Sequence, residues 1–306
     1  MRFLIEHETR LDFQASVQEH HCEMRVIPRE SPDQRLLAHS IEIDPPALLH
    51  TYKDAFGNSV IYFNIVPAHR HLVTRVQSEV ETLLENPFNY VLMSPESEQT
   101  WYEDELRRHP ELWHYVLHKS PAVPAFDSLP TGGLNPPARD VSQSIQVSIL
   151  AAVQWVHETL RYRPGSTSVD TPLQTALKKR SGVCQDFAHL LISLVRSWNV
   201  PARYVMGYMR ASVDGYDDSR DEEATHAWAE VLLPGAGWRG FDPTNRLCAN
   251  HLYIAVAVGR DYQDAAPQRG TFKGSAVQEA PKVHVILQEQ IPRAAPPAIQ
   301  QKQVAQ

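Results

Sequence analysis

Cysteine is scarce in this sequence: only three of its 306 residues are cysteines, at positions 22, 184 and 248. An odd and small number of cysteines argues against a disulfide framework, so we expect free thiols and a reducing compartment. No run of about 18 apolar residues occurs, and charged residues interrupt the apolar ones in the N-terminal stretch MRFLIEHETRLDF. We therefore expect neither a membrane span nor a signal peptide, and a cytoplasmic location.

Basic residues are also in the minority, with 29 Lys and Arg against 36 Asp and Glu and a formal net charge of −7. The two signs are mixed along the chain, so no basic stripe points to nucleic acid. Hydrophobic residues make up 42% of the chain, which is enough for a large buried core. The length favours two domains.

The first 90 residues show the period-two alternation of β-strands. Examples are Phe3, Ile5, His7, Thr9, Leu11 and Phe13, and later Ile61, Phe63 and Ile65. Turn-forming residues separate these runs, which predicts a small antiparallel sandwich over residues 1–90. Residues 91–139 are mixed: 100–118 suit a helix, and 121–137 are a linker rich in Pro and Gly.

Residues 140–290 combine helical and strand patterns, so the whole chain is predicted to be α+β. Asp140, with Gln143 three residues later, is the predicted cap of a core helix. A second apolar helix begins near Cys184, and strand-like segments follow at 203–209, 226–233 and 237–242. The segment 291–306 is rich in Pro, Ala and Gln and is predicted to be disordered.

Cys184 is the first candidate for chemistry, because it lies in the first turn of the second apolar helix. The free N–H groups and partial positive charge of a helix N-terminus favour a thiolate. The same N–H groups can stabilise an oxyanion on a substrate carbonyl. An ordinary buried core cysteine is the alternative, but the neighbours Gln185 and Asp186 are polar.

His226 and Asp242 are candidates for the base and the group that orients it. His226 opens an apolar strand, and Asp242 closes the next strand after a loop containing Pro234 and Gly235. In a hairpin of this length the two residues fall opposite or nearly opposite each other. They share a face only if no odd register shift intervenes, which the sequence alone leaves open.

The surroundings of these three residues resemble those of the transglutaminase-like superfamily, and in particular its bacterial branch of transglutaminase-like enzymes and cysteine proteases. The segments that carry the resemblance are residues 182–189 (GVCQDFAH), 201–205 (PARYV), 226–231 (HAWAEV) and 237–245 (GWRGFDPTN). The strands around residues 54–58 (DAFGN) also resemble the N-terminal region that precedes the core in that branch.

The resemblance implies a Cys184–His226–Asp242 triad on a papain-like core, in which the helix bearing the cysteine packs on an antiparallel sheet. It implies acyl transfer through a thioester, on a peptide or protein substrate and without a cofactor. Hydrolysis is the preferred outcome, with transfer to an amine as the alternative. Side chains considered for oxyanion or supporting roles are Gln185, Asp186, Tyr162 and Trp155.

Other readings stay open beside this one. The chain could be a binding module on the same scaffold, or an arylamine acetyltransferase, although no site for acyl-CoA phosphates is evident. His20, His21 and Cys22, or His114 and His118, are possible metal ligands, but no further ligands complete a pattern. The acidic segment 211–224 either borders the cleft and favours basic substrates or is simply solvated.

Overall fold

The structure is a computed structural model that describes residues 1–210 and 225–290. It confirms the α+β class, with a strand-rich N-terminal region ahead of a core of helices and sheet. The acidic segment 211–224 and the predicted disordered tail 291–306 lie outside the described residues. No helix in the two described ranges is long and apolar enough to cross a bilayer.

The order of elements separates the two regions. The N-terminal strands are β1 (Arg2–Met24), β2 (Gln34–Asp44), β3 (His50–Lys53), β4 (Ser59–Ile65) and β5 (His69–Thr82). The elements that follow are α1 (Pro95–Arg108), α2 (His114–Leu117), α3 (Ile145–Thr159), β6 (Arg161–Tyr162), α4 (Leu173–Lys179), β7 (Ser181–Gly182), α5 (Cys184–Ser197), β8 (Ala202–Met209), β9 (Thr225–Leu233), β10 (Gly237–Asp242), β11 (Leu247–Cys248), β12 (Tyr253–Gly259), α6 (Tyr262–Ala265), β13 (Gln268–Lys273) and β14 (Lys282–Glu289).

Strand β1 organises the N-terminal region, because its 23 residues take part in two sets of pairings. Its first part pairs with β5 and β14, and its second part pairs with β4 and β13, always antiparallel. The predicted boundaries assigned all of 140–290 to the core, and this is wrong for the last strands. Residues 268–289 return to complete the N-terminal sheet, a long-range pairing that local alternation does not reveal.

The helices between the two regions begin and end at places that differ from the prediction. The helix expected over residues 100–118 starts earlier, at Pro95, and stops at Arg108, since Pro110 cannot continue it. Asp140 does not cap α3. Ser144 is the N-cap, and Glu98 of α1 accepts hydrogen bonds from the Ile145 N–H and the Ser144 hydroxyl.

The core sheet has the order β11-β10-β9-β8-β12, and the pairings are antiparallel. Helix α5 packs on one face, where Phe187, Leu190, Leu191 and Leu194 are buried against residues of β8 and β9. Burying one such side chain contributes about 1.5–3 kcal/mol to stability. The packing holds the N-terminus of α5 beside the sheet.

Candidate active site

Cys184 is the first residue of α5, and Val183 is the N-cap. The Asp186 carboxylate turns back and accepts the Val183 N–H at 2.8 Å. Within residues 1–210 and 225–290, the backbone N–H groups of Cys184 and Gln185 have no protein acceptor. The partly exposed Cys184 thiol therefore lies in the positive potential of a helix N-terminus, beside two available donors.

The turn ahead of Cys184 depends on a close approach at Gly182. A Cβ placed on Gly182 would lie 2.6 Å from Oδ2 of Asp186, closer than atoms in contact allow. The Thr167 hydroxyl donates to the same oxygen at 2.6 Å. Burial raises the pKa of Asp186, opposed by these hydrogen bonds. Asp186 therefore builds the N-terminus of α5.

His226 and Asp242 lie on neighbouring strands and share a face of the sheet. Phe241 pairs with Ala229, which puts Asp242 level with Trp228 and two residues from His226. The register shift is even, so the two side chains meet: Nε2 of His226 and Oδ2 of Asp242 are 2.8 Å apart. Burial opposes a charge on the imidazole, but Asp242 and, to a smaller extent, Cys184 together outweigh it and raise the pKa of His226 to about 10.

Asp242 is fully buried, and its carboxylate accepts hydrogen bonds on both oxygens. Besides His226, the Asn245 amide at 2.7 Å and the Tyr253 hydroxyl at 2.8 Å donate to Oδ2. Oδ1 accepts the backbone N–H groups of Thr244 at 2.9 Å and Asn245 at 3.3 Å. His226 and these donors together outweigh the burial penalty and lower the pKa of Asp242.

The sequence analysis missed Tyr253 and assigned no role to Asn245. Asn245 has a detectable signal, because it stands three residues after Asp242 in the segment GWRGFDPTN. Tyr253 has none: it lies at the start of β12, which pairs with β8 at the far edge of the sheet. Only the folded sheet brings its hydroxyl to Asp242.

Cys184 lies near this pair, close enough that its side chain adds to the rise in the pKa of His226. The structure thus brings Cys184 to the imidazole that Asp242 holds at 2.8 Å. An imidazolium held in this way can stabilise a thiolate and later donate its proton.

The other four candidate side chains occupy different positions. Gln185 donates its amide to the Val169 carbonyl at 3.1 Å, so it holds the loop before α4. The Trp155 N–H donates to the Leu134 carbonyl at 2.7 Å within the core, which removes it as an oxyanion donor. Tyr162 packs beside Phe187, with ring centres 6.3 Å apart. Asp186 caps α5, as described above.

Three further histidines, His189, His118 and His21, have structural partners. His189 accepts the Tyr262 N–H at 3.1 Å, and burial lowers the pKa of His189 to about 3. His118 contacts Asp261 at 3.1 Å, and His21 contacts the Tyr62 hydroxyl at 2.8 Å. In the described part of the chain, no three or more His, Cys, Asp or Glu residues are grouped to hold a metal ion.

Comparison with known families fits this arrangement. The Transglutaminase-like superfamily profile matches residues 138–243, a range that contains Cys184, His226 and Asp242. The Bacterial transglutaminase-like N-terminal region matches residues 3–81. An uncharacterized protein of Mycobacterium leprae is 30% identical over 273 residues, which cover 89% of this chain and 94% of that protein. The chain belongs to the transglutaminase-like superfamily.

Two further proteins extend the comparison. A Cytophaga hutchinsonii protein, provisionally described as a cysteine protease, superposes with a TM-score of 0.70 at 22% identity. The superposition covers 95% of this chain and 92% of that one, and it establishes a shared fold. The protein-glutamine gamma-glutamyltransferase of Pseudomonas aeruginosa is 27% identical over 175 residues, which are 51% of this chain and 26% of that protein.

Proposed function

We propose that this protein is a cysteine-dependent hydrolase of peptide or carboxamide bonds, acting through a thioester on Cys184. One observation carries the proposal: the thiol at the N-terminus of α5 lies near an imidazole whose pKa a buried carboxylate helps to raise to about 10. A charged imidazole beside a thiol is the arrangement that activates cysteine nucleophiles.

The first half of the reaction forms the thioester. The Cys184 thiolate attacks the substrate carbonyl carbon, and the backbone N–H groups of Cys184 and Gln185 receive the negative oxygen. As the carbon–nitrogen bond breaks, His226 gives its proton to the departing amine. Asp242 holds the imidazole in position and stabilises its charged form.

The second half releases the acyl group. The neutral His226 takes a proton from water, whose oxygen attacks the thioester carbon. The carbon–sulfur bond breaks, a carboxylic acid leaves, and the thiolate and imidazolium are restored. Water needs no dedicated site, which favours hydrolysis over transfer.

Transfer to a primary amine is the second candidate. The matched segment of the Pseudomonas aeruginosa gamma-glutamyltransferase supports it, because the chemistry up to the thioester is the same. Incubation with a glutamine-containing peptide and a fluorescent primary amine separates the two. We expect more hydrolysed than amine-labelled peptide, and labelling that exceeds hydrolysis would replace the first candidate with the second.

The thiol itself is tested by alkylation with limiting iodoacetamide at pH 7, followed by peptide mass spectrometry. Two other cysteines serve as controls in the same chain, since burial raises the pKa of Cys22 to about 12 and of Cys248 to about 11. We expect Cys184 to react first and the Cys184→Ala variant to lose peptide-amide hydrolysis. Equal, slow modification of all three thiols would refute the proposed function and support a binding module.

A further inference from the structure

A cavity of about 200 Å³ is lined by residues of both the N-terminal sheet and the core. Its N-terminal wall includes His20 of β1, Gln268 of β13 and Val283 of β14, and its core wall includes Thr225 and Tyr262. Pockets that hold whole small-molecule ligands measure about 300–1,000 Å³. This smaller cavity suits a single side chain or a short piece of extended chain.

The cavity is linked to the candidate active site at two points. Thr225 immediately precedes His226 on β9. On the other side, the Tyr262 N–H donates to His189, which lies on the same helix as Cys184. Burial raises the pKa of Tyr262, and the nearby Asp170 carboxylate raises it further. Tyr262 also packs against Tyr204, with ring centres 6.3 Å apart, and Tyr204 lies close enough to Cys184 for that group, after burial, to raise the pKa of Tyr204. These contacts lead from Cys184 to the cavity wall, which gives a polypeptide lying across Cys184 a short path to the cavity.

The described walls of the cavity carry no ionised lining side chain. None of the described residues that line it is Asp, Glu, Lys or Arg. The lining residue His7 is buried, its two ring nitrogens contact the Tyr208 and Thr9 hydroxyls at 2.7 and 3.0 Å, and burial lowers its pKa to about 4. A charged side chain entering this space would lose its hydration without gaining a counter-ion, which is costly.

His20 supplies a hydrogen-bond acceptor on the wall. It stacks on His69 with Nδ1 3.2 Å from Nε2 of His69, and Nδ1 of His69 lies 2.9 Å from the Pro67 carbonyl. Because a carbonyl oxygen only accepts hydrogen bonds, Nδ1 of His69 must carry the proton. With both rings neutral, Nε2 of His69 accepts from Nδ1 of His20, and Nε2 of His20 is left as an acceptor.

Two observations place this acceptor at the cavity. A Cβ on Gly270, which also lines the cavity, would lie 2.9 Å from Nε2 of His20. Among the described residues nothing donates to that nitrogen. Burial, followed by the neighbouring histidines, lowers the pKa of His20 to about 4, which agrees with a neutral ring. Oε1 of Gln268 is a second buried acceptor without a donor in the described chain.

We propose that this cavity is a specificity subsite that takes one uncharged, hydrogen-bond-donating residue of a polypeptide substrate, such as a carboxamide side chain. The inference rests on the proposed function, because the subsite serves a substrate whose neighbouring carbonyl lies at Cys184. It gives the N-terminal region a part in substrate selection, since β1, β13 and β14 form one wall.

The test measures binding without catalysis, using the Cys184→Ala variant and fluorescence anisotropy. The probes are fluorescent heptapeptides with a central glutamine, in which each flanking position in turn is Asn, Val, Lys or Glu. At one position we expect Asn to bind about tenfold or more tightly than Lys or Glu, with Val between them. Equal affinities at all positions, or no binding of any peptide, would overturn the subsite.

Val283→Trp and His284→Trp, each added to Cys184→Ala, form a matched pair on β14. Val283 is 45% exposed and lines the cavity, whereas the exposed His284 is the next residue, on the opposite face of the strand. We expect Val283→Trp to fill the space and abolish the Asn preference, and His284→Trp to keep it. An unchanged preference in Val283→Trp would refute the assignment.

Two separate measurements distinguish a failure of the subsite from a failure of the proposed function. Alkylation of the wild-type protein reports on the chemistry of Cys184, and anisotropy of the Cys184→Ala protein reports on the cavity alone. Unreactive Cys184 with selective peptide binding would remove the catalytic proposal and keep the pocket as a peptide-binding site. A reactive Cys184 with unselective peptide binding would keep the catalytic proposal and remove the subsite.

Discussion

Buried histidines occur in both regions of the molecule, and they behave in opposite ways. In the core, burial works against a charge on His226, but Asp242 at 2.8 Å, with a smaller contribution of Cys184, prevails and raises the pKa of His226 to about 10. In the N-terminal sheet, the described partners of the His7 ring nitrogens are two hydroxyl groups, and burial lowers the pKa of His7 to about 4. Depth is similar in both places, so the charge of a buried imidazole follows from its partner.

The largest effect on the hydrolysis rate is expected from Asp242→Asn. This change removes the carboxylate partner that His226 has and His7 lacks. Burial is then opposed only by Cys184, and the pKa of His226 should fall well below its wild-type value of about 10. The hydrolysis rate should drop on the order of 10⁴-fold, as in other triads that lose their carboxylate. The measurements are kcat on a peptide amide and NMR titration of labelled histidine.

Asp54→Asn is the matched control for this change. Asp54 is a paired carboxylate in the N-terminal region, 3.0 Å from Arg25, and has no contact with the site. We expect kcat within about twofold of wild type. An Asp242→Asn protein that keeps activity within tenfold of wild type would contradict the role assigned to the carboxylate.

The converse change, Thr9→Asp, places a carboxylate beside His7. The Thr9 hydroxyl is 3.0 Å from Nε2 of His7, so an aspartate there should raise the pKa of His7 above 6.5. Because a buried ion pair must be desolvated, the free energy of unfolding should fall by about 1–4 kcal/mol. Histidine NMR and urea unfolding measure the two effects.

Thr9→Val removes the same hydroxyl without adding a charge and should leave His7 neutral at pH 7. If His7 stays neutral in Thr9→Asp as well, partner charge does not decide its state and the comparison fails.

The pH dependence of the free energy of unfolding should show that folding keeps His7 neutral. The pKa of His7 is lowered from 6.5 to about 4, so the unfolded chain binds a proton in that window and the folded chain does not. The contribution of neutral His7 to the free energy of unfolding is fully present above pH 6.5. It is lost as the pH falls towards 4, at about 1.4 kcal/mol per pH unit.

His7→Gln should therefore flatten the decline of the unfolding free energy between pH 6.5 and 4, as measured by urea unfolding at several pH values. His39→Gln, at an exposed position of β2, should leave the slope as it is. Identical slopes for wild type and His7→Gln would show that His7 is not kept neutral by folding.

The smallest effect is expected from Tyr253→Phe, which removes one of three side-chain donors to Oδ2 of Asp242. A hydrogen bond to a charged group contributes about 1.5 kcal/mol, so kcat should fall about tenfold. Tyr208→Phe is the counterpart, because it deletes the hydroxyl bonded to His7 and should leave kcat unchanged. Equal losses in both variants would mean a general structural effect.

Sequence reasoning reached those parts of the molecule that depend on nearby residues. The start of a helix at Cys184 and the strands bearing His226 and Asp242 follow from apolar periodicity and turn residues. The sequence left the register of these two strands open, and the structure shows that it is even. The α+β class follows from the same patterns.

The parts that were missed depend on residues far apart in the chain. Glu98 moves the start of α3 from Asp140 to Ser144, because its carboxylate binds that helix N-terminus from another helix. Tyr253 reaches Asp242 only once β12 has paired with β8. Neither relation has a fixed spacing that a sequence pattern could detect.

The pairing of β1 with β13 and β14 has a consequence for biosynthesis. Phe3 lies opposite Glu289, so β1 cannot complete this pairing until synthesis has reached β14. Until then one edge of the N-terminal sheet is open and able to pair with another nascent chain. Chains that stall before residue 268 would therefore carry an unprotected strand edge, and they are the form of this protein most exposed to aggregation and degradation.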